Sequence, residues 1–286
     1  MGSSGIAGKT YFVTGTNSGI GKSAVEGLAA AGGKVVLASR SEEKTRPVLD
    51  AIRSTWPSAD ARFVQIDVAD LSSVKRVAEE YLASGRPLDC LINNAGVAGT
   101  EGLSPDGFDL TYATNHIGPF LLTNLLLPRI QESEQGRVVD VSSVANKTAK
   151  GIDWSMLERR TVAARSGFAA YAETKLMNVL HARELARRLA GSRVTTYAVH
   201  PGGVASNIWR ALPGPVQWVL KLFLISNEKG AAPVVYLATD PALASASGQY
   251  YERFRETRPN PLGDDPALAR ELWNRTEAAI AAAWRR

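Results

Sequence analysis

Cysteine occurs once in 286 residues, at Cys90. A single thiol excludes an intrachain disulfide framework and a cysteine-based zinc cluster. It lies in Leu88-Asp89-Cys90-Leu91-Ile92, a β-like run in which it reads as a small buried apolar residue. Histidine is nearly as scarce, and His116, His181 and His200 do not have the spacing of metal ligands. No run approaches the ~20 apolar residues of a membrane span. The N-terminus lacks the charged segment and apolar core of a secretory signal. A β-like run starts within a dozen residues of Met1, which leaves no room for an anchor ahead of it. These absences lead us to expect a cytoplasmic protein with no membrane span and a flexible tail at residues 1–5. Nor is charge of one sign concentrated: 33 Lys and Arg against 28 Asp and Glu give a net +5 that is scattered along the chain. Without a basic stripe interleaved with aromatics, nucleic acid is not an expected partner.

What the chain has is alternation. Short β-rich runs occur at 9–13, 34–38, 61–66, 88–92, 137–141, 194–199 and 248–251, and helical patterns separate them at about 42–55, 71–84, 106–132 (broken), 168–190 and 227–239, with a last one at about 266–283. Strict β-α alternation predicts a mostly seven-stranded parallel sheet, doubly wound, with helices on both faces. No composition shift marks an internal boundary, so the expectation is one Rossmann domain over 1–286. The irregular stretches 144–167 and 202–226 follow strand ends. Ligands bind beyond the carboxyl ends of such strands, so these stretches are the expected substrate walls.

The first βα turn reads Thr14-Gly15-Thr16-Asn17-Ser18-Gly19-Ile20-Gly21. Strand, glycine turn and helix together present backbone N–H groups and a helix N-terminus to a pyrophosphate, and this makes Gly15, Asn17, Ser18, Gly19, Ile20 and Gly21 candidate cofactor contacts. Further along, Tyr171 and Lys175 stand at i and i+4, one above the other on a helix face. A neighbouring cation favours phenolate, which would let a tyrosine act as a general acid or base near neutral pH.

Taken in order, the glycine turn, Asn93-Asn94-Ala95-Gly96, Asn115, Ser143, Tyr171 with Lys175, and Pro201-Gly202 resemble the short-chain dehydrogenase/reductase superfamily over essentially the whole chain. Leu91–Val97, Asn115–Leu122, Lys175–Leu180, Arg183–Leu189 and Val194–Gly202 look like its retinol dehydrogenase-like branch. Asp140 stands where that branch often has Asn, and Pro119 where it often has His. The resemblance implies that Tyr171 exchanges a proton with the substrate oxygen. By the same comparison Lys175 lowers the phenol pKa and binds the nicotinamide ribose, Ser143 hydrogen-bonds the reacting oxygen, and Asn115 holds a helix kink and a relay water. Ser142, which alternates to the other side, is read as structural. The resemblance also implies that Asn94, Ala95 and Gly96 line the adenosine side and Pro201, Gly202 and Val204 the nicotinamide side, with Ser206 in place of the usual Thr at the carboxamide.

Coenzyme choice should be written at the end of the second strand. An NAD enzyme usually has a carboxylate there for the ribose hydroxyls. Here the residue is Ser39, followed by Arg40. A missing carboxylate plus a guanidinium favours a 2′-phosphate, and hence NADP(H), although Arg40 could instead stack on adenine. Asp67 and Val68 are expected to hold the adenine ring. Trp209, Leu212, Val216, Trp218 and the apolar residues 219–225 read either as a lid over a bulky apolar substrate or as an ordinary amphipathic or dimer-forming helix.

The function expected from these residues is an NADP(H)-dependent interconversion of a carbonyl and an alcohol on an apolar small molecule. Two alternatives stand beside it: a tailoring enzyme on the same scaffold with a non-redox net reaction, and a nucleotide-sensing protein with a vestigial site. Apolar residues on more than one face of the Tyr171 helix lead us to expect a homodimer, or a homotetramer built from such dimers.

Overall fold

The computed structural model describes residues 6–158, 167–203 and 225–285. Among them, β1 (Thr10–Thr14), β2 (Lys34–Ser39), β3 (Arg62–Gln65), β4 (Cys90–Asn93), β5 (Gly136–Val141), β6 (Val194–His200), β7 (Gln249–Glu252) and β8 (Arg255–Glu256) form one sheet in the order β3-β2-β1-β4-β5-β6-β7-β8. All pairings from β3 to β7 are parallel. Every residue of β1, β4 and β5 is buried, which is why these strands read as near-continuous apolar runs.

The helices are α1 (Gly19–Ala30), α2 (Glu42–Thr55), α3 (Leu71–Ala83), α4 (Leu110–Tyr112), α5 (Gly118–Gln131), α6 (Ser155–Glu158), α7 (Gly167–Arg188), α8 (Asn227–Thr239) and α9 (Pro266–Trp284). Side-chain caps fix several of their starts. The oxygens of Ser41, Asp70, Ser226 and Asp265 accept from first-turn N–H groups of α2, α3, α8 and α9. α1, α2 and α8 pack with Val13, Leu37, Ile92 and Val139 on one face of the sheet. α3, α5, α7 and α9 pack with Phe12, Val36, Leu91 and Val138 on the other. Cys90 is buried in β4, and burial pushes its thiol up to about 12.

Three features depart from the sequence reading. The sheet has an eighth strand, two exposed residues long and antiparallel to β7. Its turn passes through Arg253 at φ 55, a left-handed position without the usual glycine, so no turn signal marks it. The pattern at 106–132 starts only at Leu110 and is interrupted by a wide turn, Ala113–Ile117, with i→i+5 hydrogen bonding. Finally, α7 packs against α9 of the same chain, a contact that the sequence reading did not foresee. Among the described residues, no helix is long and apolar enough to cross a membrane.

Candidate active site

Gly15, directly after β1, has φ +73, and α1 begins at Gly19 at φ +61, both left-handed positions suited to glycine. Gly21 is needed for closeness instead. A Cβ there would stand 2.3 Å from the Gly15 carbonyl oxygen and 2.5 Å from Asn94 Nδ2. Ser18 occupies the N-cap position of α1 with φ −166, but its hydroxyl bonds none of the first-turn N–H groups. Those donors, at the positive end of the helix, face the cleft and suit an anion. Thr14 Oγ1 accepts from the N–H groups of Asn94 and Ala95, each at 3.0 Å, and Asn94 Nδ2 donates to the Thr14 carbonyl at 2.7 Å. The end of β4 is thereby fastened to the glycine turn. This cradle fits the pyrophosphate of a dinucleotide.

The cleft, about 890 Å³, runs along the carboxyl edge of the sheet. At one end it is bordered by Ser39, Arg40, Asp67 and Val68, with Asn94, Ala95 and Gly96 along its floor. The Ser39 hydroxyl is engaged with Thr45 Oγ1. The Arg40 guanidinium is exposed, 4.0 Å from Asp67 Oδ2. Lys44, in the first turn of α2, borders the same corner and was missed in the sequence, where Glu42 and Glu43 mask it as an ordinary helix start.

At the other end lie Ser143, Tyr171 and Lys175, with Pro201 and Gly202 beside them. Ser143 caps the short turn after β5, accepting from Ala145 N at 3.2 Å, and lines the cleft together with Tyr171. Burial pushes the Tyr171 phenol up, and the neighbouring Ser143 hydroxyl works against that rise. Burial also lowers the Lys175 ammonium to about 8, opposed by the charge of Asp140. Lys175 Nζ donates to the Val141 carbonyl at 2.8 Å and lies 5.5 Å from the Tyr171 ring centroid. Nζ is thus drawn to the Val141 carbonyl, and the neighbour that opposes the rise of the phenol is Ser143. Ser142 Oγ donates to the Lys175 carbonyl at 2.7 Å, a structural bond.

Asn115 does not border the cleft. It sits in the wide turn, where its Oδ1 accepts from Val97 N at 2.8 Å and its Nδ2 donates to Val97 O at 2.9 Å and to Thr174 Oγ1 at 3.0 Å. Val204, Ser206 and the apolar stretch from Trp209 to Leu224 lie outside the described residues, as does the tail at 1–5. Further cleft residues were not foreseen individually, among them Val144, Phe168, Lys147 and His200. Val144 and Phe168 offer apolar surface that is 46% and 51% exposed beside the Ser143–Tyr171 end. Lys147 is ion-paired with Glu252 at 2.5 Å. His200 is lowered to about 4 by burial.

A family model described as short chain dehydrogenase matches residues 9–156. Dehydrogenase/reductase SDR family member 13 of Bos taurus is 40% identical over 276 residues, covering 94% of this chain and 72% of the relative. Retinol dehydrogenase 13 of Homo sapiens is 37% identical over 280 residues, covering 94% of this chain and 83% of the relative. Among solved structures, an uncharacterized protein from Mycobacterium paratuberculosis superposes with a TM-score of 0.78 at 30% identity, covering 97% of this chain and 95% of that one.

Proposed function

The chain belongs to the short-chain dehydrogenase family, and from that premise we propose that it is an NADP(H)-dependent oxidoreductase interconverting a carbonyl and an alcohol on a bulky apolar small molecule. The observation that carries this reading is the meeting of Ser143, Tyr171 and Lys175 at one end of a cleft that the glycine turn also lines. A bound nicotinamide coenzyme supplies or takes up the hydride. The Tyr171 hydroxyl gives its proton to the carbonyl oxygen in reduction and takes it back in oxidation. Ser143, which lines the cleft beside Tyr171, holds the same substrate oxygen. Lys175 offers a buried positive charge beside the phenol, which stabilises phenolate as the proton leaves. Asn115 acts at a distance, by holding Val97 and Thr174 in place. Exposed Phe168 and Val144 at this end favour an apolar substrate over a sugar. Turnover of NADPH against a panel of apolar aldehydes and ketones tests the reading. A protein that binds NADPH yet oxidises it with none of them would refute it.

NADP(H) is preferred because two cations, Arg40 and Lys44, border the corner where a 2′-phosphate would lie, and no carboxylate ends β2. Arg40→Ala is expected to weaken NADPH binding by roughly 10–150-fold, the equivalent of one charge-assisted hydrogen bond of about 1.5–3 kcal/mol. NADH binding should change little. Titrating both coenzymes into both proteins measures this, and an equal loss for both would mean that Arg40 only stacks on adenine.

Assembly follows the same logic. A homodimer pairing α7 with its copy would have to form over α9, which buries Ala269, Leu272, Trp273 and Ile280 there. We therefore expect a monomeric mass by light scattering at micromolar concentration. A twofold mass would place the subunit contact on another face or require α9 to move.

A further inference from the structure

Behind the cleft, on the α5 and α7 side of the sheet, lies a buried polar cluster that the reaction proposed above does not use. Asp140 of β5 is 2% exposed. Its Oδ1 accepts from Asn93 Nδ2 at 2.8 Å, and its Oδ2 lies 2.7 Å from His181 Nδ1. A carboxylate only accepts, so that ring proton sits on Nδ1. The His181 ring is held by Phe120 and by Trp273, against which it stacks at 5.8 Å and 14°. Asn93 Nδ2 donates also to Thr123 Oγ1 at 2.9 Å. The carboxylate is thus held from both β4 and α7.

Two hydrogen bonds orient a buried carboxylate but do not replace the cation that its charge demands. That cation is on the next residue's doorstep: Lys175 Nζ donates to the carbonyl of Val141, which follows Asp140 in β5. The other titratable groups of this region are Tyr171, whose ring lies under Lys175, and His181 on α7, His116 on the wide turn, whose ring meets that of His181, and Tyr250 on β7, bonded to Asn146. Glu173, on another side of α7, accepts from the Tyr112 hydroxyl.

We propose that Asp140, oriented by Asn93 and His181, is a positioning residue for Lys175: its carboxylate keeps the ammonium charged and aimed at the Val141 carbonyl, next to Tyr171. The inference rests on the assignment of Tyr171 and Lys175 made above. It has a definite sign. Burial draws the Lys175 pKa down to about 8 while Asp140 acts to raise it. Removing that negative charge lets the ammonium lose its proton at lower pH.

The test is the pH profile of kcat/KM for NADPH-dependent reduction by the wild type and by Asp140→Asn. The amide can present its oxygen to Asn93 and its NH2 to His181, whose ring accepts in its other tautomer. Coenzyme titration by fluorescence checks that the variant is folded. The expected result is an alkaline limb displaced by about one unit to lower pH, hence roughly tenfold lower activity above the limb and little change below it. A folded variant whose limb stays in place, including one with a uniform loss at every pH, overturns the proposal. If Asp140→Asn binds no coenzyme, Asp140→Ser removes the charge with a smaller group and is read in the same way. Loss of coenzyme binding in both makes Asp140 a core residue only, and also overturns it. Near-normal turnover in Tyr171→Phe would instead bring down the underlying assignment. A Tyr171-dependent enzyme with an unmoved limb in Asp140→Asn brings down this inference alone.

Discussion

Tyr171→Phe is expected to lower turnover by about 10²–10⁴-fold, the usual value of a positioned general acid or base, while leaving NADPH affinity close to that of the wild type. The substitution keeps the ring, which is 5% exposed and packed with Ala170, Leu176 and the rest of that core. It removes only the hydroxyl that meets Ser143. Fold and coenzyme cradle are therefore preserved, and the loss should fall on the chemical step. Stopped-flow single turnover and coenzyme titration separate the two. A variant that turns over at near-normal rate would take Tyr171 out of the proton path.

The second large effect is expected at Gly21→Ala. The added Cβ meets backbone, the Gly15 carbonyl oxygen at 2.3 Å, and the Asn94 amide at 2.5 Å. Neither is the free end of a flexible side chain. Asn94 is also bonded to the Thr14 carbonyl, so it cannot move without releasing the end of β4. Overpacking of this kind costs about 1–3 kcal/mol, occasionally more. Because the strain falls on the cradle itself, coenzyme affinity should drop by at least about tenfold, with a lowered melting temperature. Isothermal titration and thermal melts measure both. Unchanged affinity would mean that the turn is not where the pyrophosphate binds.

Much of the framework was legible because local chemistry and tertiary packing agree. Ser41 and Ser226 cap helices whose bounds, 42–55 and 227–239, match the pattern read from the chain. The buried strands of a parallel sheet announce themselves as short apolar runs, as Thr10–Thr14 does. The glycine turn and the Tyr171/Lys175 pair are local spacings, so both could be found from the chain alone. Interactions between distant residues were not legible. Nothing in the sequence says that Asp140 meets His181, 41 positions later, or that Thr276 of α9 bonds His116. The upward direction of the Tyr171 shift comes from burial, which only the assembled fold sets. β8 escaped because two exposed residues carry no periodicity.

The wide turn at Ala113–Ile117 has a consequence for the energetics of ligand capture. Just beyond it, Gly118 comes so close to the strand-end loop at Val68 that a Cβ would stand 1.7 Å from the Val68 carbonyl oxygen. Within it, Asn115 grips both backbone groups of Val97 and the Thr174 hydroxyl. One joint therefore clamps the loop after β3, the segment after β4 and the helix that carries Tyr171. Two ends of the cleft that a coenzyme must span are locked in register before any coenzyme arrives. Less conformational freedom is left to be lost on association, so a larger share of the contact energy remains as affinity. On the function proposed above, the same rigidity would hold the Tyr171 hydroxyl at a fixed distance from the nicotinamide, so that the entropic part of catalysis would be set in advance by the fold.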